Sequence, residues 1–298
     1  MKSRLTTLLA FALTIATATA QITPRPLIPV SGHYKTLAAI DRKPHPSRAT
    51  LDTLRFPMQE ASKGSFVSTR LRGVYLPADV PALLTIPEPP ANSSDQTRAE
   101  LDFMLDLQAK RTPAEVERYT KLAAIYHNPT TSSPFDPDYT RNWNSLFHVG
   151  SPLGNWYKFG DLAATANLLT GVYQDATYYF FVLKYRIMRP RPYAMEARLQ
   201  PIEKPGHPAY PSGHSAASYV NAYVMSELVP DLAPEFLKMA AEMAYSREVI
   251  GVHYPSDSEV SRVWARAFVN ELLKSPKFRA DLAKAKTEIT GKRALANR

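Results

Sequence analysis

Two histidines, three cations and one carboxylate in this chain fall into three short clusters whose residue types suit one kind of chemistry. Lys184 is followed seven residues on by Arg191, inside the run Arg189-Pro190-Arg191-Pro192. A compact ammonium beside a planar guanidinium suits a phosphate, which the guanidinium can hold through two parallel hydrogen bonds. Tyr210-Pro211-Ser212-Gly213-His214 offers a capping serine, a glycine that lets backbone approach a ligand, and a histidine at a helix start. A helix N-terminus presents free N–H groups to an anion. Ser246-Arg247 adds a third cation, and Asp257 lies four residues after His253. A carboxylate at that spacing can accept from His253 Nδ1, fix the tautomer and leave Nε2 free to attack.

Taken singly, each cluster has an ordinary structural reading: a solvated basic helix end, a capped surface turn, a helix start with a nearby histidine. Together they supply the parts of a phosphoryl-transfer site. That chemistry is mostly positioning and stabilisation of charge on equatorial oxygens. The remaining histidines, His33, His45, His127, His148 and His207, form no ligand spacing and read as surface or core; only His207 is close enough to the second cluster to line a pocket there. Asp175 reads as a helix-packing partner, and the run Tyr178 to Phe181 as core.

The elements that must position these clusters are helices. Apolar spacing predicts helices over 92–111, 161–186, 212–228 and 234–245. Thr112-Pro113-Ala114-Glu115 reads as a capping box opening a helix to about residue 126, and Ser256 with Glu259 as a second box opening one that runs from Pro255 to about residue 273. Arg189-Pro190-Arg191-Pro192 should end the long helix, because two prolines cannot continue its ladder. Residues 128–158 have loop composition, and a lysine-rich tail from Ala283 is expected to fray. Residues 21–95 are rich in proline and are expected to wrap the body in extended or short helical pieces. With no alternating strand series, the expected architecture is all-α, one domain over 21–298.

The first twenty residues stand apart. Lys2 and Arg4 precede an apolar stretch over 5–16, and Ala18-Thr19-Ala20 ends it with small residues. That is the layout of a cleaved signal peptide, with an uncleaved anchor as the alternative. The reading implies a periplasmic or secreted protein whose mature chain starts near Gln21 and has no integral membrane segment. The 298 residues contain no cysteine, so neither a disulfide nor a thiolate-held metal is available. A net charge of +9 suits anionic partners without choosing among them.

The three clusters, read in order, resemble the signature of the type 2 phosphatidic acid phosphatase (PAP2) superfamily: Lys184-x6-Arg191-Pro192, Pro211-Ser212-Gly213-His214, and Ser246-Arg247-x5-His253-x3-Asp257. The similarity covers about 74–273 and is loose outside these blocks. The signal segment, modest length and proline-rich start resemble the bacterial class A non-specific acid phosphatases of that superfamily. The resemblance implies a helical bundle of the PAP2/haloperoxidase type that hydrolyses small phosphomonoesters through a phosphohistidine, with no metal or other cofactor and no nucleic-acid partner. It implies His253 as nucleophile, Asp257 as its orienting group and His214 as proton donor. Lys184, Arg191, Arg247, Ser212 and Gly213 would bind the phosphate, a homodimer is the family-level expectation, and the intermediate leaves transfer to alcohols open. Because His253 must be neutral while His214 is protonated, and an ordinary imidazole titrates near about 6.5, the rate should be greatest in mildly acidic solution. The rivals are a vanadium-dependent haloperoxidase, in which the second histidine ligates vanadate, a lipid phosphate phosphatase, and a polyanion-binding protein that uses the basic surface alone.

Overall fold

In the computed structural model residues 32–126, 135 and 139–296 are described, so the expected signal segment, residues 21–31 of the wrap and His127 lie outside them. Among the described residues there are helices and turns and no strand, as the sequence led us to expect. The order is α1 (Gly32–Leu37), α2 (Lys63–Val67), α3 (Pro81–Leu84), α4 (Asp95–Lys110), α5 (Pro113–Ala123), α6 (Tyr139–Asn144), α7 (Ala163–Ile187), α8 (Pro192–Met195), α9 (Gly213–Leu228), α10 (Ala233–Val249), α11 (Pro255–Lys274) and α12 (Pro276–Ala296). Short 3₁₀ pieces, Pro46–Thr53, Met58–Glu60 and Ser68–Arg70, punctuate the proline-rich segment, and another 3₁₀ stretch, Ser145–Leu153, follows α6.

Helix α9 runs through the middle, packed on α7, α10 and α11, while α12 lies along α7 and α11. Its sequence explains the position. Ala216, Ala217, Val220, Ala222, Val224 and Met225 are all buried, so the helix is apolar around its circumference, as a fully enclosed helix must be. Small residues on it let the neighbouring helices approach closely. Ser212 caps α9 by accepting from the Ser215 N–H. That buries its hydroxyl in the helix start, where it also accepts from Ser215 Oγ at 2.8 Å.

Helix α7 ends as the prolines require. Met188 takes a left-handed conformation (φ 58°), its N–H bonds the Lys184 carbonyl, and the chain leaves in an extended path at Arg191. Asp175 holds the proline-rich segment on α7 at residues 74–76, accepting from the N–H groups of Val74, Tyr75 and Leu76 at 2.6, 2.8 and 2.9 Å. This is the packing role expected of Asp175.

Three expectations need correction. The start of α11 is not capped by Ser256 and Glu259. Its N-terminal carboxylate is Asp257, which accepts from the Tyr254 N–H at 3.1 Å. Ser256 is drawn away to the buried Glu100, donating from its N–H and its hydroxyl at 3.0 and 2.9 Å. The tail beyond Ala283 does not fray: α12 continues to Ala296 because Phe278, Ala285 and Ile289 are buried against the bundle. The loop composition of 128–158 likewise hides α6 and the 3₁₀ stretch, in which Phe147 and Val149 join the core.

Candidate active site

A cavity of about 650 Å³ opens between the C-terminal half of α7, the start of α9, the loop over 203–207 and the wrap segment over 62–71. Of the residues singled out from sequence, Lys184, Gly213, His214 and Arg247 line it, and so does His207. Gly213 fits closely: a Cβ there would stand 3.3 Å from Phe180, a tight contact, and 3.7 Å from Lys184 Cε, an ordinary one. Tyr126, Tyr173, Phe180 and Phe181 add aromatic rings to the lining.

Arg191 and His253 lie immediately behind this lining. Arg191 Nε donates to the His207 carbonyl at 2.9 Å, Nη2 to His207 Nδ1 at 2.9 Å, and Nη1 to His253 Nε2 at 3.0 Å. A guanidinium can only donate. His253 Nε2 must therefore present its lone pair, and the ring proton sits on Nδ1, which donates to Asp257 Oδ2 at 3.0 Å. Two neighbours thus impose one tautomer, the one with a nucleophilic Nε2. The same reasoning puts the proton of His207 on Nε2.

The electrostatics follow from crowding positive charge in a buried place. Burial, then Arg191, Lys184 and Arg247, hold the His253 imidazole well below its ordinary pKa. Burial, then Arg191, also depresses the Lys184 ammonium, against the pull of Asp257. Burial lowers Arg247 and pushes Arg191 down to about 10. Burial is the largest cause in each case, and at His253 and Lys184 the neighbouring cations add to it; a bound anion would offset both effects.

Lys184 Nζ donates to three carbonyls, those of Pro208, Ala209 and Pro211. Arg247 pairs through Nη2 with Glu203. His214 donates from Nε2 to the Ala123 carbonyl at 3.0 Å, which requires that nitrogen to carry a proton, and its ring meets Tyr126 edge to face. Ser212 serves the α9 cap and is not among the lining residues. Among the described residues no group of three or more His, Cys, Asp or Glu is gathered where it could hold a metal.

Three contributors escaped the sequence reading. Arg189, 1% exposed, donates from Nη1 to Asp257 Oδ1 at 2.7 Å and from Nη2 to Glu100 Oε2 at 3.4 Å, and lies 3.8 Å over the Tyr254 ring. It fixes the far oxygen of the carboxylate that orients His253. Glu100, on α4, holds Arg189 and the start of α11 together; burial pushes its carboxyl up to about 7 against the pull of Arg189 and Ser256. Glu203 stands in the pocket mouth. No spacing rule finds Glu100 or Glu203, whereas Arg189 was in view within the Arg-Pro-Arg-Pro run without a role. The other histidines behave as expected where described: His33 stacks on Phe103 and pairs with Glu248, His45 accepts from the Ser47 N–H, and His148 is half-buried.

No helix among the described residues is long and apolar enough to cross a membrane. Comparison with known proteins finds relatives named non-specific acid phosphatase. One from Providencia stuartii is 38% identical over 81 residues, 27% of this chain and 33% of that protein. One from Salmonella typhi is 26% identical over 221 residues, covering 72% of this chain and 82% of that protein. A third, from Salmonella typhimurium, is 30% identical over 46% of this chain and 58% of its own. The matched stretch thus spans about a third of the first relative's length and more than half of the other two. A solved structure described as a bacterial vanadium-dependent iodoperoxidase is similar at a TM-score of 0.49 and 20% identity, over 65% of this chain and 53% of that one; at that distance the likeness says nothing of chemistry. The family model described as the PAP2 superfamily matches residues 163–280, the stretch from the start of α7 into α12 that contains all three clusters, and this chain carries a PAP2 superfamily domain there.

Proposed function

We propose that the chain is a non-specific acid phosphatase that hydrolyses phosphomonoesters through a phosphohistidine on His253, without a metal. One observation carries the reading: His253 is locked by Asp257 and Arg191 into the tautomer whose Nε2 lone pair faces a cluster of buried cations. The phosphatase names of the relatives support the reaction class.

In the first half-reaction a phosphate ester enters beside Arg247, Arg191 and Lys184, and Arg191 exchanges its bond to Nε2 for one to a phosphate oxygen. The Nε2 lone pair forms the N–P bond as the P–O bond to the leaving group breaks, and His214 delivers its proton to that oxygen. The ring, now cationic with its proton on Nδ1, is stabilised by Asp257. In the second half a water gives its proton to His214 and its oxygen to phosphorus, the N–P bond breaks, and neutral His253 and phosphate result. Gly213 admits the phosphate close to the start of α9, whose N–H groups favour an anion; Ser212 acts by capping that helix and adds a hydrogen bond if its hydroxyl turns to the ligand. The leader over 1–20 directs the chain to the periplasm or outside, and the working form is a homodimer.

The test is hydrolysis of 4-nitrophenyl phosphate at mildly acidic pH in excess chelator, with and without vanadate, beside His253→Ala. Turnover that survives chelator, falls with vanadate and is lost in the variant is expected. Absence of turnover, with halide oxidation appearing on addition of vanadate and peroxide, would replace this reading with the haloperoxidase one.

A further inference from the structure

The three pocket cations differ in what they have left to offer an anion. Every nitrogen of Lys184 and Arg191 already has an acceptor in the protein. Arg247 is different: Nε and Nη1 are buried with no partner among the described residues, and only Nη2 is engaged, by Glu203. Buried donors without acceptors are costly, so an incoming phosphate gains most at this side chain.

A guanidinium grips an oxyanion bidentately along either of two edges, one made by Nε with Nη2 and the other by Nη1 with Nη2. Nη2 belongs to both. The carboxylate of Glu203 therefore stands at the one nitrogen that either grip needs, and its charge faces whatever anion arrives. The partners are also unequal in mobility: the Arg247 side chain is 1% exposed and fixed, whereas that of Glu203 is 28% exposed and can turn to solvent. Glu203 sits on the 203–207 loop, a wall of the cavity, where it needs no change in the helices to move.

We propose that Glu203 is an internal competitor for the phosphate seat, a residue whose carboxylate occupies Arg247 until a phosphate displaces it. This rests on the site being a phosphate site. Glu203 then weakens the binding of every phosphate ester and of the phosphate product, and keeps weakly bound anions from holding the pocket. Removing its charge tightens both.

The experiment is calorimetric titration of parent, Glu203→Gln and Glu203→Ala with inorganic phosphate at one pH, with KM and kcat for 4-nitrophenyl phosphate in parallel. Both variants are expected to bind phosphate roughly tenfold more tightly, about 1.4 kcal/mol, with KM lowered similarly. Unchanged or weaker phosphate binding in both, or a raised KM with a fallen kcat, would overturn the proposal, because Glu203 would then be holding Arg247 in place. The gain in affinity is read without turnover. Tighter phosphate binding in variants of a parent that hydrolyses no ester would uphold the competitor and refute the phosphatase instead.

Discussion

Replacing Asp257 by asparagine tests the tautomer argument with almost no change of shape. Both carboxylate oxygens are acceptors: Oδ1 from Arg189 Nη1 at 2.7 Å, Oδ2 from His253 Nδ1 at 3.0 Å and from the Tyr254 N–H at 3.1 Å. An amide has one acceptor oxygen. Because Arg189 can only donate, the carbonyl takes the Oδ1 position and the NH2 takes the other, facing His253. The imidazole must then accept at Nδ1 and carry its proton on Nε2, where it meets Arg191 Nη1, another donor, at 3.0 Å. The nucleophilic lone pair is gone from Nε2. The opposite amide orientation spares His253 and Tyr254 but sets NH2 against Arg189 and gives up the charge-assisted bond, the strongest of the three. In a serine-protease triad the same tautomer reversal lowers kcat about 10⁴-fold, roughly 5.5 kcal/mol at 1.36 kcal/mol per decade. We expect Asp257→Asn to lose kcat on the order of 10³- to 10⁴-fold on 4-nitrophenyl phosphate, with phosphate affinity little changed because the three cations remain. The Tyr254 N–H, left facing a donor, should cost a further 1–3 kcal/mol or so of stability, read by thermal unfolding. A folded variant whose kcat stays within tenfold of the parent would refute the reasoning.

Other outcomes follow from the same geometry. Arg189→Met leaves Asp257 and Glu100 buried without their shared cation, so unfolding stability should fall by roughly 3–5 kcal/mol and kcat should fall more than KM rises; a stable, fully active variant would show that Arg189 does not position Asp257. The acid limb of kcat/KM reports His253 in the free enzyme. Since burial and the neighbouring cations depress its pKa, His253 stays neutral as the solution is acidified and the limb should lie below the ordinary imidazole value of about 6.5. Lys184→Met should move that limb upward, and a parent limb at or above the ordinary value would contradict the electrostatics. Inorganic phosphate at about 100 times its Kd should stabilise the fold by about 2.7 kcal/mol, raising Tm by on the order of 5 °C. Arg247→Ala should lose most of that shift while His253→Ala keeps it, and equal shifts in both would remove Arg247 as the anchor.

What could be read from sequence was local. The His253–Asp257 pairing spans four residues at a helix start, the Ser212 cap sits beside its own helix, and the Thr112–Glu115 box is contained in one turn. Short-range geometry decides all three. Spacing singled out Arg191 and left Arg189 without a role, because only the left-handed turn at Met188 and the extended path after it send one to Asp257 and the other to His253. Glu100 reaches the site across 156 residues, from a helix whose placement depends on the whole bundle. That same long-range bond pulled Ser256 away from the cap its sequence suggested. The lysine-rich tail failed as a signal for the opposite reason: composition described its exposed face, while Phe278, Ala285 and Ile289 on the other face kept it helical.

The account turns on His253 being the atom that takes the phosphoryl group. Its most direct test is rapid quenching of the enzyme during turnover of a phosphomonoester into alkali, where a phosphoramidate survives, followed by peptide mapping. A phosphoryl group on the peptide that contains His253, forming before product release and absent from His253→Ala, is the predicted result. Turnover with no phosphorylated residue, or with the group on another side chain, would contradict it.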